Sequence, residues 1–251
     1  MTSVEIHAYE KRYAARRRES GGWAPDVKRG PLPSSRATGG GEVPLHLSWE
    51  EYLRLLRKRR AKTHDFDTHP DGQSYVDVVT DLHRVFIRRR KFSRMNEDER
   101  RDVAGLRADR TAYFGTTYAS GVFSHRVLET PEAFDPALDA IPSGGPVTRT
   151  QFDVFAKRIR IHPKLGRPGL GSRLLAMKRP DIFLCMNKPN RKGLAESFGF
   201  TQTELRTYDG YWALHEILRR TPWFKTHRPR GIEGKIWDAR VALVDAIFYS
   251  D

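Results

Sequence analysis

The stretch KLGRPGLGSRLLAMKRPDIFLCMNKPNRKGLAESFGF, residues 164–200, brings together glycines, cations and polar groups as no other part of the sequence does. Within it, the Pro-Gly-Leu-Gly run at 168–171 predicts a tight turn, and residues 172–178 predict the helix that follows. Such a turn leaves backbone N–H groups at the helix N-terminus without intrahelical partners, which favours an anion there. The stretch therefore predicts a helical fold with an anion site. A plain turn between two helices is the alternative.

Positive charge lies on both sides of this turn. Glycines let a backbone approach a phosphate closely, and arginine and lysine donate the charge-assisted hydrogen bonds that phosphate oxygens accept. A polar and cationic run also follows the predicted helix, and its alternative is a solvated loop. The residues expected to contact phosphates are Arg167, Gly169, Gly171, Arg173, Lys178, Arg179, Arg191 and Lys192.

The charge of the whole chain favours the same class of partner. The 251 residues include 45 Lys plus Arg against 31 Asp plus Glu, which leaves a formal net charge of +14. Clustered cations release condensed counterions from a phosphate backbone, so this excess favours nucleic acid over neutral surfaces. A basic surface that is merely well solvated is the alternative.

Helical signals occur on both sides of the 164–200 stretch. The pairs Ser48 with Glu51 and Thr148 with Gln151 have the capping-box pattern that begins a helix, and Asn96 is a further N-cap for a helix expected to reach Tyr113. Apolar spacing favours a helix over 74–89, where β-branched residues leave a strand as the alternative. Thr130-Pro131 begins another helix with proline at its first position, and apolar spacing predicts helices over 208–220 and continuously over 233–249.

These signals predict a mainly α, multi-helix domain over residues 45–251. Residues 1–44 contain an Arg-rich run and a Gly/Pro/Ser-rich run without a periodic apolar face, so we expect a flexible basic arm and linker there. No apolar run approaches the roughly 20 residues that span a bilayer, and the N-terminal residues lack the apolar segment of a signal peptide. Cys185 is the only cysteine, which excludes an internal disulfide. We expect a cytoplasmic protein.

Residues 150–200 resemble the helix-hairpin-helix superfamily of DNA glycosylases. The resemblance rests on the Pro-Gly-x-Gly turn, the helix behind it, the apolar approach Ile182-Phe183-Leu184, and a polar residue before the next helix. In that family the last position is an aspartate. Here it is Asn187, about one helical turn closer to the glycines than is usual. The resemblance implies a helix-hairpin-helix that grips a DNA backbone.

The resemblance further implies excision of a damaged or modified base, in repair or in defence against foreign DNA. Such an enzyme flips a nucleotide into a pocket and stabilises positive charge on the sugar as the base leaves. The candidate catalytic residues are Asp181, the acid nearest the expected place, Asn187, which can orient a water, and Lys188, which can act as an amine nucleophile. A helix cap is the structural alternative for Asp181 and Asn187. The aromatic residues expected to stack on a base, or else to form ordinary core, are Tyr208, Tyr211, Trp212 and Trp223.

Two other classes of DNA-binding protein fit the same residues. Pro180-Asp181, followed much later by Glu233 and Lys235, imitates a Mg²⁺-dependent nuclease in which two carboxylates hold the metal. A noncatalytic DNA-binding protein needs none of these groups. The HDFDTH run at 64–69 is the best candidate for a metal site, with a solvated acidic loop as its alternative. We expect no metal or cofactor.

Overall fold

The computed structural model describes residues 45–58, 74–106, 121–162 and 165–248, and these ranges contain helices and turns but no strand. The predicted mainly α fold is confirmed. The basic arm predicted at 1–44 and the HDFDTH run at 64–69 lie outside the described residues. The α-helices are α1 (Trp49–Lys58), α2 (Tyr75–Arg89), α3 (Glu97–Ala104), α4 (Gly121–Glu129), α5 (Asp135–Leu138), α6 (Arg149–Ile159), α7 (Pro168–Lys178), α8 (Lys188–Phe198), α9 (Tyr208–Leu218), α10 (Pro222–Lys225), α11 (Gly231–Asp238) and α12 (Val244–Phe248).

Side-chain caps fix the starts of α1, α3 and α6 where the sequence predicts them. The amide of Ser48 donates to the Glu51 carboxylate at 2.7 Å, and the amide of Glu51 donates to the Ser48 hydroxyl at 3.3 Å. Asn96 with Glu99 and Thr148 with Gln151 exchange the same pair of hydrogen bonds. Each box satisfies two amides that the helix itself leaves open, so these starts are determined locally.

Two predicted helices have different bounds in the structure. α3 ends at Ala104 because Gly105 adopts a left-handed φ of 73° and its amide bonds the carbonyls of Arg101 and Asp102. Tyr113, expected on the same helix, lies outside the described residues. After Thr130, a 3₁₀ turn over Pro131–Phe134 precedes the short α5.

The helix predicted as continuous over 233–249 is two helices, α11 and α12. Between them, the amides of Val241 and Ala242 donate to the carbonyl of Pro180 at 3.1 and 2.9 Å. Those amides would otherwise bond carbonyls within their own helix. A tertiary contact therefore overrides the helical spacing and joins this turn to the segment after α7.

Helix α7 lies in the interior of the described fold. Every residue from 171 to 180 is buried, and α2 and α3 both pack against α7. A helix buried on all sides normally carries few polar residues, because each polar group must find a partner away from water. Helix α7 and the residue after it nevertheless include Arg173, Lys178 and Arg179.

Candidate nucleic-acid interface

Helix α7 begins four residues earlier than predicted, so residues 168–171 form its first turn instead of a loop before it. Pro168 takes the first helical position, where its fixed φ suits the helix and its missing N–H is not needed. Arg167 is the N-cap residue, but its side chain makes no capping hydrogen bond. The amides of Gly169 and Leu170 therefore have no acceptor among the described residues.

Ser172 ties this first turn to the residues that precede α8. Its buried hydroxyl accepts the amide of Met186 at 2.8 Å and donates to the carbonyl of Gly169 at 2.7 Å. A Cβ at Gly169 would lie 3.8 Å from the carbonyl oxygen of Met186. Because Met186 directly precedes the N-cap residue of α8, the N-termini of α7 and α8 lie side by side.

Gly171 serves packing and does not present an open backbone. A Cβ added there would collide with the hydroxyl of Tyr208, which donates to the carbonyl of Leu165 at 3.1 Å. Gly171 therefore packs against Tyr208 and does not offer the phosphate contact expected from the sequence. Gly169 is exposed and remains available.

Asn187 is the N-cap residue of α8. Its Oδ1 accepts the amide of Asn190 at 2.9 Å, and the Oδ1 of Asn190 accepts the amide of Asn187 at 2.9 Å. The structure thus has the helix cap that was the structural alternative for this residue. The amide nitrogen of the Asn187 side chain is buried and has no hydrogen-bond partner within the described residues.

Asn190 is held in turn by a buried carboxyl group. Its Nδ2 donates to Asp245 and, at 2.7 Å, to the carbonyl of Cys185. The hydroxyl of Tyr75 lies 3.3 Å from the other oxygen of Asp245. Burial raises the pKa of Asp245 to about 7, although the hydrogen bonds from Asn190 and Tyr75 and the charge of Arg173 act to lower it. The start of α8 is therefore anchored in the core.

Arg167, Arg191 and Arg206, which we call the arginine triad, are linked electrostatically, because the charges of Arg206 and Arg167 both act on Arg191 near the start of α8. Burial lowers the pKa of Arg191, and the positive charges of Arg206 and Arg167 lower it further. None of the three forms an ion pair among the described residues, and the Nε of Arg191 is buried without a partner there. Like charges held together repel, so an anion bound among them would relieve that repulsion.

Arg206 is the member of the triad that sequence reasoning missed. It ends the 3₁₀ turn Glu204–Arg206, outside the stretch that carries the glycines. Nothing in its neighbours distinguishes it from other surface arginines. Only the tertiary fold brings it within the field of Arg191.

Two of the predicted phosphate contacts on α7 are interior residues. Arg173 is 1% exposed and donates to the carbonyls of Val103 and Asp102, both at 3.1 Å, at the end of α3. Lys178 is 3% exposed and donates to the carbonyl of Leu138 at 2.7 Å, at the end of α5. The structure corrects the prediction for both, because they are withdrawn from solvent and donate to backbone carbonyls near helix C-termini.

Arg179 is also interior, and it forms an ion pair with Asp181, the candidate catalytic acid. It is 2% exposed, and its guanidinium donates to both oxygens of Asp181 at 2.9 and 2.8 Å. It also donates to the carbonyls of Pro142 and Gly145 at 2.8 and 2.7 Å. Asp181 is thus held in a bidentate ion pair, and the predicted phosphate contact of Arg179 is corrected because its guanidinium is withdrawn from solvent.

Lys188 and Lys192 are both exposed on α8. Lys188 is the first residue of the helix, whereas Lys192 lies 4.0 Å from Glu196 in an exposed pair on the same helix. Such exposed pairs are weak and exchange readily with other anions. Both lysines can therefore add positive charge beside the arginine triad.

The aromatic residues predicted to stack on a base are core residues. Tyr208, Tyr211, Trp212 and Trp223 are 1%, 2%, 6% and 0% exposed. Phe152 of α6 lies at the centre of the cluster that includes the first three, with ring centroids 6.2, 6.1 and 4.9 Å away. Tyr208, Tyr211 and Trp212 pack α9 against α6, whereas Trp223 of α10 stacks on Tyr52 of α1.

The residues of the nuclease pattern have separate partners. Asp181 pairs with Arg179, Glu233 accepts a hydrogen bond from Trp49 at 3.4 Å, and Lys235 lies 3.6 Å from Asp77. The acids of that pattern belong on adjoining strands, and the described ranges contain no strand. The described residues also include no group of three or more His, Cys, Asp or Glu side chains placed to hold a metal ion.

No protein-family model matches this sequence, and no curated protein or solved structure is significantly similar to it. Within the described ranges, no helix has both the length and the apolar character needed to cross a membrane.

Proposed function

We propose that this protein binds the phosphate backbone of DNA with the surface formed by the first turn of α7, the start of α8 and the arginine triad. The observation that carries the proposal is the triad itself. None of its three guanidinium groups has an acid partner among the described residues, and two amides in the first turn of α7 have no acceptor there. Guanidinium forks and helix N-termini are both preferred partners of phosphate.

Two features of the chain support this proposal. The net charge of +14 favours association with a polyanion, and that attraction acts before any specific contact forms. The exposed Lys188 and Lys192 extend the positive surface along α8. DNA backbones are recognised by such combinations of Arg, Lys and main-chain N–H groups, which position the protein without reading sequence.

The proposal is tested by the affinity for a fluorescent duplex, measured by anisotropy for the wild type and for Arg167→Gln/Arg191→Gln/Arg206→Gln. Three lost charge-assisted contacts should weaken binding by about 100-fold. The matched control is Arg54→Gln/Arg220→Gln/Arg230→Gln, which removes the same charge from three exposed arginines elsewhere. The control should lose less than about threefold, because only its long-range field changes. Equal losses in the two variants would contradict a localised site.

A second candidate function is excision of a base from the bound DNA. The observation in its favour is the order of elements: a helix, a glycine-containing helix start, an apolar segment, and the polar cap residue Asn187 beside the proposed DNA surface. This is the order of the helix-hairpin-helix glycosylases that residues 150–200 resemble. The ion pair of Asp181 with Arg179 does not favour base excision, because both oxygens of the carboxylate already accept hydrogen bonds.

Base excision is tested by incubating plain and base-modified duplexes in EDTA and then cleaving abasic sites with alkali. Excision through Asn187 predicts alkali-dependent breaks that disappear in Asn187→Ser. Serine keeps the helix cap but removes the carboxamide, so the fold is retained. Breaks that appear only with Mg²⁺ and without alkali would indicate a nuclease, and intact DNA throughout would leave binding as the function.

A further inference from the structure

We infer that the segment joining α2 to α3 carries a second surface for DNA phosphates, formed by Arg90 and Arg94. The inference rests on the proposed DNA binding and adds a contact that is separate from the one at the start of α7. It follows from the charge of this segment, the backbone conformation of Arg90 and the position of the segment in the fold.

The segment is strongly basic. Residues 82–95 contain five arginines, one lysine and no acid. The pairs that these cations form with acids from outside the segment are Arg84–Asp81, Arg88–Glu99, Arg89–Glu99 and Lys91–Asp139. Arg90 and Arg94 are exposed and have no acid partner among the described residues. These two guanidiniums are therefore available to an anion from another molecule, and phosphate is a preferred partner of arginine.

Arg90 has a backbone conformation that residues with a Cβ rarely adopt. Its φ is 63° and its ψ is −39°, and no other described residue except glycine has a positive φ. The amide of Lys91 donates to the carbonyl of Arg89 at 2.8 Å, which closes a γ-turn around Arg90. Strained residues of this kind cluster at functional sites. The sequence thus places an arginine where the backbone favours glycine, which indicates a role for the side chain.

The backbone on both sides of Arg90 is fixed. The amide of Arg90 caps the end of α2. Phe92, two residues further on, is 1% exposed, and the amide of Ser93 donates to the carboxylate of Asp135 at 3.0 Å. Arg90 and Arg94 are therefore presented from a rigid turn, so that little backbone entropy is lost when they bind.

The segment lies by the C-terminal end of α7, whereas the proposed DNA surface lies at the start of that helix. Lys178, the last residue of α7, donates to the carbonyl of Leu138 at 2.7 Å. The carboxylate of the next residue, Asp139, lies 3.9 Å from the Nζ of Lys91. The 11 residues of α7 span about 16 Å. The two surfaces are therefore distinct, and each can be removed without the other.

The test measures the affinity for a fluorescent duplex by anisotropy, at several salt concentrations, for Arg90→Gln/Arg94→Gln. Two lost phosphate contacts should weaken binding about tenfold and make the salt slope shallower by up to about 1.8. Arg90→Lys/Arg94→Lys should keep most of the slope, because lysine also neutralises phosphates. The matched control is Arg220→Gln/Arg230→Gln, which removes two exposed arginines elsewhere and should lose less than about threefold.

Arg90→Gly separates the loss of binding from damage to the fold. Glycine adopts a φ of 63° without strain, so this variant should unfold at a temperature a few degrees higher than Arg90→Gln. Both variants should bind the duplex about threefold more weakly than the wild type, because both lack the charge. A lower unfolding temperature for Arg90→Gly than for Arg90→Gln would contradict the strained turn on which the inference depends.

The outcomes distinguish this inference from the proposed function. Wild-type affinity in Arg90→Gln/Arg94→Gln, or a loss no larger than that of the control, would overturn the second surface and leave the proposed function in place. Weak binding by this variant, together with wild-type affinity in the triad variant, would support the second surface and overturn the proposed one. No binding of the duplex by the wild type would overturn both.

Discussion

Two sets of cations in the described fold have opposite surroundings. The interior set, Arg173, Lys178 and Arg179, is buried and bonded to backbone carbonyls or to Asp181. The arginine triad is exposed or half-buried and has no acid partner among the described residues. Arg167 and Arg191 flank the same glycine run as the interior set, so local sequence does not distinguish these two arginines from it. What distinguishes them is whether the fold supplies an acceptor.

The two sets of cations should also contribute differently to the free energy of unfolding. A buried cation is tolerated only when hydrogen bonds replace its hydration, so each member of the interior set should be costly to remove. The triad makes no such bonds among the described residues, and its members repel one another, so removing them should cost the fold little. Substitutions in each set measure this difference in the free energy of unfolding.

The largest effect should come from Arg179→Met. The substitution leaves Asp181 and the carbonyls of Pro142 and Gly145 without their donor. Removal of one partner from a buried charged network typically costs about 3–5 kcal/mol. Urea unfolding should show that loss in the free energy of unfolding. A loss below about 1 kcal/mol would mean that Arg179 contributes no more to stability than an exposed ion pair does.

The next effect concerns Asp245, the acid that faces the interior beside Tyr75, Asn190, Cys185 and Arg173. Burial raises its pKa from 3.8 to about 7, so the folded state favours the protonated carboxyl. The resulting stability is fully present below about pH 4 and is lost as the pH rises through 7. The loss is on the order of 2–4 kcal/mol.

Asp245→Asn isolates this contribution, because asparagine keeps the shape and cannot ionise. The free energy of unfolding, measured in urea at pH 4 and pH 8, should fall less with pH in the variant than in the wild type. Subtracting the two proteins removes the contributions of all other titrating groups. The same pH dependence in both would show that Asp245 is ionised in the fold at neutral pH.

A smaller loss is expected for Gly171→Ala. The added Cβ collides with the hydroxyl of Tyr208, and relief of that overlap should cost about 1–3 kcal/mol. Tyr208→Phe removes the obstructing atom at the cost of its hydrogen bond to Leu165, about 1 kcal/mol. In a double-mutant cycle, Gly171→Ala should therefore be less harmful when it is combined with Tyr208→Phe. Additive losses would mean that Gly171 is not needed for this packing.

The smallest effect on stability should come from the triad itself. Arg167→Gln/Arg191→Gln/Arg206→Gln should change the free energy of unfolding by no more than about 0.5 kcal/mol, and toward greater stability, because like charges are removed. Thermal and urea unfolding at low salt measure this directly. A loss of several kcal/mol would place the triad with the interior set.

Sequence reasoning succeeded where structure is decided by near neighbours. The capping boxes predicted at Ser48 and Thr148 and the N-cap predicted at Asn96 depend on residues three apart, and all three are present. It failed where a distant group decides. The carbonyl of Pro180 interrupts the helix predicted over 233–249, and Tyr208 gives Gly171 its role.

The residues predicted for the candidate site also include both outcomes. Arg167, Gly169 and Arg191 belong to the predicted set and lie at the proposed interface. Arg173, Lys178 and Arg179 were expected there too, but every residue from 171 to 180 is buried, and these three lie in the interior. Periodicity showed that α7 is a helix without showing how much of its surface would be covered. Arg206 had no local signal.

The salt dependence of DNA affinity reports whether the arginine triad contacts phosphates. For a duplex, the logarithm of the association constant falls linearly with the logarithm of salt concentration, with a slope of about −0.9 for each phosphate contact. If the triad contacts phosphates, Arg167→Gln/Arg191→Gln/Arg206→Gln should make the slope shallower by up to about 2.7, whereas Arg173→Met should leave it unchanged as long as the protein remains folded. An unchanged slope in the triad variant would mean that these three arginines do not contact DNA phosphates.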